Sequence, residues 1–222
     1  MKTVLHINSS ARIERSHTRY LSNLFVREWR CLRPEDRVIS REIGTEPPPP
    51  VNESWIASAF TPPHDRTGPM REALRLSDTL VDELVQADLI VLGAPMYNFG
   101  MPAQLKAYVD QIIRVGRTFA LDVSNEKHPY RPLLTEKRMV VVTASGDGGY
   151  HPGGPLEHLN HLEPHLRTAF GFIGITEIEF AAVRYDEFPD DRIKRSLAAA
   201  EAEVRQIAHQ LAEGLTANGC VT

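Results

Sequence analysis

"TVLHINSSARIERSHTRYLSNLFVREW", residues 3–29, passes from a short apolar run through a polar loop into a helical pattern. The run at residues 3–7 is apolar and partly β-branched, which is typical of a buried strand. From Tyr20 to Trp29 apolar residues recur at helical spacing, and Ser16 is placed to cap that helix. The stretch therefore predicts a strand, a loop and a helix, with Tyr20 and Trp29 in the core.

The same unit recurs along the rest of the chain. Further strands are predicted at residues 36–43, 89–92, 137–144 and 175–184. Helices are predicted from Ser16 to the residue before Pro34, at 68–86, at 102–115, in a segment ending near 171, and at 189–213. Apolar strands that alternate with helices indicate an α/β protein with a five-stranded parallel sheet covered on both faces. Right-handed crossovers then predict a three-layer doubly wound fold, with residues 1–222 in a single domain.

Residues 44–66 interrupt this pattern with two proline clusters, Pro47–Pro50 and Pro62–Pro63. Prolines disfavour regular structure, so at most a short helix from Trp55 to Phe60 is expected there. The same two aromatic residues offer apolar side chains for docking. We therefore interpret the segment as a docked excursion and not as a linker between domains.

The composition is that of an ordinary globular protein, with 42% hydrophobic and 24% charged residues among 222. The formal net charge of −4 comes without a block rich in lysine or arginine, which argues against a nucleic-acid partner. Cys31 and Cys220 belong to no CxxC or paired pattern, which favours a reducing compartment. No apolar run reaches the length of a signal-peptide core or a membrane span. We therefore expect a cytoplasmic protein with small-molecule partners and no membrane partner.

In open α/β sheets ligands bind beyond the carboxyl ends of the strands, so the loops at 8–18, 94–101 and 145–151 form the candidate site. The first loop delivers hydroxyl groups at a helix amino terminus, where backbone amides and the helix dipole attract anions. These hydroxyls belong to Ser9, Ser10, Ser16 and Thr18. The chain lacks GxxxxGK[ST] and GxGxxG, so the loop favours a terminal monophosphate. Simple helix capping by Ser16 is the alternative interpretation.

The second loop, within APMYNFGMP at residues 94–102, holds three bulky apolar side chains between two prolines. The prolines restrict the backbone, so its polar groups can face the edge of a heterocycle while Met96, Tyr97 and Phe99 pack against the ring. Alternatively, these three side chains close the end of the core.

The third loop, SGDGG at residues 145–149, is rich in glycine. Glycines permit positive φ and the close approach of a ligand, and successive amides in such a turn can form a positively polarised concavity. A ring that becomes anionic when reduced suits such a site. Asp147 as a simple turn former is the alternative.

A phosphate cradle and two loops that hold a flat ring together predict flavin mononucleotide (FMN) as the ligand. Over nearly its whole length the chain resembles the FMN-dependent NADH:quinone oxidoreductase and azoreductase family of flavodoxin-like enzymes. The resemblance is carried by SS(x)5S-x-T at 9–18, PMYNF at 95–99, QLKAYVDQIIRVGRTF at 104–119, SGDGG at 145–149 and GFIGIT at 171–176. It implies a flavodoxin-like fold with strand order 2-1-3-4-5.

The resemblance also implies roles for individual residues. The phosphate would be held by Ser10, Ser16, Thr18 and the amide of His17. The ring would be lined by Pro95, Met96, Tyr97, Asn98 and Phe99, with Asn98 at its polar edge. Its pyrimidine side would face Ser145, Gly146, Asp147, Gly148 and Gly149. Tyr150 and Phe172 would belong to the substrate pocket, and Phe172 would project toward the flavin of a partner subunit, because the family is homodimeric with active sites at the interface.

The implied reaction moves two electrons from NADH or NADPH through FMN to a quinone or an aromatic azo compound, by a ping-pong mechanism. Because the cofactor supplies the difficult step, no catalytic side chain is certain, and protons could come from water or from His151. A flavodoxin-like FMN electron carrier without reductase activity of its own is the alternative function. A flavin-free regulatory domain on the same fold is a second alternative.

A run of histidines at residues 151–165 also invites a metal interpretation. His161 and His165 have helical i, i+4 spacing, but Pro164 interrupts it and the HExxH pattern is absent. We therefore predict no metal site there.

Overall fold

The computed structural model describes residues 1–217, with side chains as far as Gly214. The strands are β1 (Thr3–Asn8), β2 (Arg37–Glu42), β3 (Leu89–Pro95), β4 (Phe119–Leu121), β5 (Tyr130–Pro132), β6 (Arg138–Ala144) and β7 (Glu177–Val183). The helices are α1 (His17–Leu32), α2 (Glu53–Phe60), α3 (Gly68–Gln86), α4 (Ala103–Ile112), α5 (Glu163–Phe172) and α6 (Asp191–Ala217). Cys220, which the sequence suggested is unpaired, lies outside the described residues.

Five strands form one parallel sheet in the order β2-β1-β3-β6-β7. Numbered among themselves these strands run 2-1-3-4-5, which confirms the predicted flavodoxin-like doubly wound fold. Strand β3 is longer than the apolar run at 89–92 predicted, because Ala94 and Pro95 still pair with Thr143 and Ala144 of β6. The positions of the other sheet strands agree with the prediction to within one or two residues.

Strands β4 and β5 form a separate antiparallel pair that the sequence did not predict. Each contains three residues, and all three residues of β5 are exposed, so neither shows a periodic apolar pattern. The pair is held by tertiary contacts instead, since Leu133 and Leu134 bond to the carbonyls of Thr118 and Ile173.

The core consists of two apolar layers, one on each face of the sheet. Because side chains of a strand alternate between faces, Leu5 and Ile7 of β1 pack with α3, α4 and α5, whereas Val4 packs with α1 and α6. Trp29 is fully buried in the second layer and stacks on Phe25 at 5.9 Å between ring centroids. This arrangement confirms the predicted three layers.

The predicted core position of Tyr20 is wrong. Leu21, Phe25 and Trp29, four residues apart, form the buried stripe of α1, and Tyr20 lies one position to its side. The residue is 41% exposed, and its hydroxyl donates to Glu201 Oε1 of α6 at 2.9 Å. A phenol hydroxyl is easily satisfied in this place at the edge of the helix pair.

The excursion at 44–66 docks through one of its two aromatic residues. Trp55 of α2 is buried, and its indole Nε1 donates to Gln111 Oε1 at 2.8 Å. Phe60, which was also expected to dock, is 63% exposed at the end of α2. The hydrogen-bonding indole therefore anchors the segment. Within residues 1–217, no helix combines the length and the apolar character needed to cross a bilayer.

Candidate active site

The loops after β1, β3 and β6 meet at one edge of the sheet around a cavity of about 360 Å³, within the usual range for small-molecule sites. They meet because these three strands are neighbours and parallel, so their carboxyl ends lie side by side. The cavity is lined by Ser10, Arg12, Arg15, Ser16, His17, Thr18, Pro95, Met96, Tyr97, Asn98, Ala144, Ser145, Gly146, Asp186 and Glu187. The structure thus brings together ten of the residues that the sequence assigned to the cofactor: Ser10, Ser16, His17, Thr18, Pro95, Met96, Tyr97, Asn98, Ser145 and Gly146.

The polar end of the cavity is built by the start of α1. Ser16 is the N-cap residue, and its Oγ accepts a hydrogen bond from the amide of Arg19 at 3.3 Å. Ser16 Oγ also lies 3.3 Å from Thr18 Oγ1, and both residues are buried together with Ser10. The amides of His17 and Thr18 donate to no acceptor among the described residues. Hydroxyls and free amides at a helix amino terminus form a donor set for an anion. Capping and anion binding are therefore compatible uses of Ser16.

Two acidic residues that the sequence interpretation missed lie in the same cavity. Asp186 and Glu187 follow β7, whose tip is next to that of β6. Asp186 accepts a hydrogen bond from Arg12 Nη1 at 3.0 Å, and its other oxygen lies 3.0 Å from His17 Nε2. The carboxylate thereby has two basic partners. The acid-rich turn RYDEFPDD at residues 184–191, directly after a predicted strand, was the signal that could have revealed it.

The loop at 94–101 is a tight turn with an unusual backbone. Tyr97 and Gly100 exchange two backbone hydrogen bonds, and Asn98 and Phe99 between them have φ values of 47° and 70°. Positive φ at both central residues is the mark of a type I′ turn. Such a φ is rare for a bulky side chain such as Phe99. Two hydrogen bonds close the turn, and its two residues with positive φ precede Gly100.

This turn is tied to both neighbouring loops. The amide of Met96 donates to the carbonyl of Ala144 at 2.8 Å, and the amide of His161 donates to the carbonyl of Phe99 at 2.9 Å. On the other side, the hydroxyl of Tyr97 lies 3.5 Å from Ser10 Oγ, which links this turn to the polar end of the cavity.

The positive φ expected for the glycines at 145–149 is wrong. Neither Gly146, Gly148 nor Gly149 has a positive φ. A Cβ added to Gly146 would lie 2.5 Å from the carboxyl carbon of Glu187, and one added to Gly148 would lie 2.1 Å from the ring of Tyr185. These glycines make room for the side chains that follow β7, and it is Tyr185 that adopts a positive φ of 69°.

The remaining residues of this loop lie outside the cavity lining. Asp147 accepts a hydrogen bond from the amide of Gly148 at 2.5 Å, and its carbonyl accepts one from Ser145 Oγ. These contacts match the turn-forming alternative for Asp147. Gly148 and Gly149 lie behind Tyr185 and Leu156 respectively. Only Ser145 and Gly146 of the predicted five residues therefore face the cavity.

The predicted aromatic and proton-donating residues are also outside this lining. Phe99 is 45% exposed and packs edge-on against Tyr150, with ring centroids 6.3 Å apart. His151 is exposed, and its Nδ1 lies 2.9 Å from the carbonyl oxygen of Pro152. The structure does not bring His151 into the cavity, because the chain leaves the sheet edge after Gly149.

Phe172 lies in a different part of the molecule, at the end of α5. Its ring packs against Phe119 of β4 at 5.0 Å and Tyr130 of β5 at 5.4 Å between centroids. It remains 36% exposed. Phe172 does not line the cavity. In the described part of the chain no group of three or more histidine, cysteine or acidic residues is arranged to hold a metal ion.

The donor set suits a phosphorylated flat heterocycle. Three buried hydroxyls and two helix-terminal amides match a phosphate, and the basic Arg12 and Arg15 line the same end. The turn at 95–98 and the adjacent 144–146 segment line the same cavity, which combines apolar side chains with main-chain polar groups. The pairing of Asp186 with Arg12 and His17 reduces the repulsion that its carboxylate would exert on a phosphate.

Known proteins resemble this chain over nearly its entire length. The sequence model of a family described by its flavodoxin-like fold matches residues 2–211. An FMN-dependent NADH:quinone oxidoreductase of Opitutus terrae is 50% identical over 213 residues, which cover 96% of this chain and 99% of that protein. The FMN-dependent NAD(P)H:quinone oxidoreductase 1 of Pseudomonas aeruginosa is 43% identical over 209 residues, which cover 94% of this chain and 99% of that protein.

Solved structures have the same fold. The crystal structure of azoreductase from Bacillus anthracis str. Sterne has a TM-score of 0.84 at 23% identity, covering 95% of this chain and 100% of that one. An FMN-dependent NADH-azoreductase from Bacillus anthracis str. Ames Ancestor, in complex with FMN, has a TM-score of 0.83 at 20% identity, covering 96% of this chain and 100% of that one. At these identities the likeness bears on the fold alone.

Proposed function

The chain belongs to this flavodoxin-like family, together with FMN-dependent NADH:quinone oxidoreductases, and from this premise we propose that it is an FMN-dependent NAD(P)H:quinone oxidoreductase. It is an enzyme that moves two electrons from NAD(P)H to quinones and aromatic azo compounds. The observation that carries this function is the meeting of a hydroxyl cradle and a rigid ring-binding turn in one cavity.

The polar end of the cavity binds the phosphate of FMN. The hydroxyls of Ser10, Ser16 and Thr18 and the amide of His17 are the proposed donors, since all four groups belong to residues that line or close this end. The amide of Thr18 adds a further donor at the start of α1, where the helix dipole favours negative charge. Arg12 and Arg15 raise the positive potential around the entrance.

The other end of the cavity orients the ring. Pro95, Met96, Tyr97 and Asn98 form one wall, and Ser145 and Gly146 face them. The two backbone hydrogen bonds between Tyr97 and Gly100 restrain this wall, which limits the orientations open to a bound ring. When bound, FMN supplies the two-electron redox chemistry between the nicotinamide and the acceptor.

The protein itself binds and orients, and we propose that it does not act through an acid/base pair. No histidine other than His17 lines the cavity, and that side chain contacts Asp186. Because His151 lies outside the lining, we propose that solvent delivers the protons. We further propose ping-pong kinetics, in which donor and acceptor use the same open side of the cavity in turn.

We also propose a homodimer with the active site at its interface. Exposed apolar side chains near the β4–β5 pair support an interface there, namely Leu121, Val123, Tyr130 and Phe172, with Val123 82% exposed. In this proposal Phe172 and Tyr150 border the substrate pocket, Phe172 from the partner subunit. Light scattering of the purified protein tests the dimer, and a monomer at micromolar concentration would contradict it.

The function is tested by mixing the purified protein with FMN, NADH and a benzoquinone while following the absorbance of NADH. With dioxygen excluded, because it would reoxidise the reduced flavin, we expect sustained consumption of NADH only when protein, FMN and quinone are all present. Binding of FMN without reduction of the quinone would identify the electron carrier instead. If the protein changes neither the fluorescence of FMN nor the rate of NADH consumption, it is neither an FMN-dependent reductase nor an FMN electron carrier. Repeating the assay with an azo dye, and with NADPH, defines the acceptor and donor ranges.

Two further expectations from the sequence stay predictions. Limited proteolysis tests whether the chain is a single domain, which the common core on one sheet supports. Cell fractionation tests the cytoplasmic location.

A further inference from the structure

An ion pair lies directly behind the loop that forms the polar end of the cavity. Arg19 is at the start of α1 and Glu42 is the last residue of β2, and their side chains are 15% and 30% exposed. Arg19 Nη2 donates to Glu42 Oε1 at 3.1 Å, and Arg19 Nη1 contacts the other carboxylate oxygen. A two-contact arginine–carboxylate pair of this kind fixes both side chains in one geometry.

The guanidinium also forms hydrogen bonds with the backbone of the first loop. Arg19 Nη2 donates to the carbonyl of Ser10 at 2.9 Å, and Arg19 Nε donates to the carbonyl of Arg12 at 3.3 Å. The amide of Arg19 donates to Ser16 Oγ. One residue therefore holds the loop segment that carries the hydroxyl of Ser10 and also touches the N-cap hydroxyl.

The carboxylate end of the pair is anchored on the opposite side of the loop. Glu42 Oε1 accepts hydrogen bonds from the amides of Gly44 at 2.8 Å and Thr45 at 3.2 Å. Gly44 is pressed against the loop, since a Cβ there would lie 2.1 Å from the carbonyl oxygen of Ser10. Burial alone would raise the pKa of Glu42, but the hydrogen bonds from Arg19 and from these amides lower it, so the group is ionised.

We propose that Arg19 and Glu42 are a positioning pair that holds the backbone of Ser10 to Arg12 in the shape required to bind the phosphate of FMN. This inference rests on the proposed function, because it concerns the same cofactor. The guanidinium acts through the loop and not as a direct ligand: its hydrogen bonds go to the carbonyls of Ser10 and Arg12 and to Glu42. Neither member of the pair lines the cavity.

The pair therefore affects the phosphate end of the ligand and leaves the ring end unchanged. Riboflavin has the same ring as FMN but no phosphate, so the ratio of the two affinities isolates the phosphate contribution. In Arg19→Gln we expect the affinity for FMN to fall about tenfold or more, as for a loss of one to two charge-assisted contacts. The affinity for riboflavin should stay at the wild-type value.

Two more variants separate positioning from simple charge. Arg19→Lys keeps the charge but cannot contact two carbonyls and a carboxylate at once, so we expect it to lose most of the FMN preference. Glu42→Gln keeps the shape of the carboxylate and should also lower the ratio of the affinity for FMN to the affinity for riboflavin. If the residues act as a unit, the double variant should lose no more than either single variant. Arg75→Gln, which removes an exposed arginine paired with Glu72 on α3, is the matched control.

The experiment is a fluorescence titration of each purified variant with FMN and with riboflavin, alongside thermal unfolding without flavin. A selective loss of FMN affinity in Arg19→Gln and Arg19→Lys supports the proposal. Equal losses for FMN and riboflavin, or full rescue by lysine, overturn it. If Arg19→Gln does not fold, Glu42→Gln is judged by the same ratio. A wild-type protein that binds FMN no more tightly than riboflavin would contradict the proposed phosphate site itself, which distinguishes the two failures.

Discussion

The ring of Tyr185 occupies the space that a side chain at position 148 would need, because a Cβ added to Gly148 would lie 2.1 Å from Cζ of that ring. Tyr185 follows β7 with a positive φ, and Gly148 follows β6. The two residues therefore lock the loop that faces the cavity onto the tip of the neighbouring strand.

Gly148→Ala is expected to destabilise the protein by about 1–3 kcal/mol, the usual cost of overpacking a filled site. Thermal or urea unfolding measures the change. Gly171→Ala is the matched control, since Gly171 lies in α5 with no atom within 4 Å of the added Cβ. Replacing a helical glycine of this kind by alanine should raise the free energy of unfolding by about 0.5–1 kcal/mol. Equal effects of the two substitutions would show that the contact with Tyr185 is unimportant.

Ser16→Ala removes both a helix cap and a proposed phosphate donor. We expect FMN binding to weaken by ~1.5–3 kcal/mol, the worth of a hydrogen bond to a charged group, less whatever water restores. The loss of the cap should also lower stability by about 1 kcal/mol. Thr67 is the N-cap of α3, and its side chain accepts a hydrogen bond from the amide of Met70. Thr67→Ala removes this cap at a position outside the cavity lining. It should reproduce the loss of stability without the loss of FMN affinity.

Asp186→Asn removes a negative charge from the cavity and releases Arg12 and His17. We expect FMN to bind severalfold more tightly, because the repulsion of its phosphate is removed and two basic groups become available. The gain should shrink at high salt, as for any partly exposed charge interaction. Asp190→Asn, which breaks a pair with Arg192 outside the cavity lining, is the control and should leave FMN affinity unchanged. Weaker binding in Asp186→Asn would mean that the carboxylate shapes the site instead of opposing the ligand.

Phe99 has a backbone conformation that asparagine adopts more easily than phenylalanine. Its φ of 70° lies in the left-handed region, and its ring is 45% exposed, so little packing is lost on substitution. Phe99→Asn is therefore expected to leave stability unchanged or to raise it by up to about 1 kcal/mol. Phe60→Asn replaces an exposed phenylalanine in a helix and should bring no gain. A large loss of stability in Phe99→Asn would show that the ring is held by contacts stronger than its exposure indicates.

His6 makes the stability of the fold depend on pH. It is buried beside Ser22, with its Nε2 3.0 Å from Ser22 Oγ. Burial, with a smaller contribution from Arg19, lowers its pKa to about 4. The folded state therefore favours the neutral ring, and stability is complete above the unfolded pKa of about 6.5.

As the pH falls from 6.5 toward 4, His6 binds a proton in the unfolded chain but stays neutral in the folded chain. We expect a loss of stability on the order of 3 kcal/mol over this interval, from the size of the shift. Urea unfolding at a series of pH values measures the slope. His6→Gln should flatten it, whereas His64→Gln, with a side chain that is 80% exposed, should not. An unchanged slope in His6→Gln would place the acid sensitivity in other groups.

The fold and most of the candidate site follow from local patterns. Ser16 as a cap and the helix at 68–86 depend on apolar periodicity and on turn residues close together in the chain. The order of the five sheet strands, in contrast, was implied by the resemblance to a known family. The loops were found because parallel strands present their carboxyl ends at one edge. The sequence did not predict the short β4–β5 pair or the exposure of Tyr20 and Phe60, because these features depend on tertiary contacts.

The sequence alone thus determined the alternation of strands and helices, the hydroxyl-rich start of α1 and the proline-restricted loop at 94–102, since each depends on residues that are neighbours along the chain. Only the tertiary structure decided which side chains share the cavity. Asp186 meets Arg12 and His17 across about 170 residues of chain, and Tyr185 explains the glycine at 148. Such contacts depend on how adjacent strand tips pack, and no local propensity encodes the distance between them.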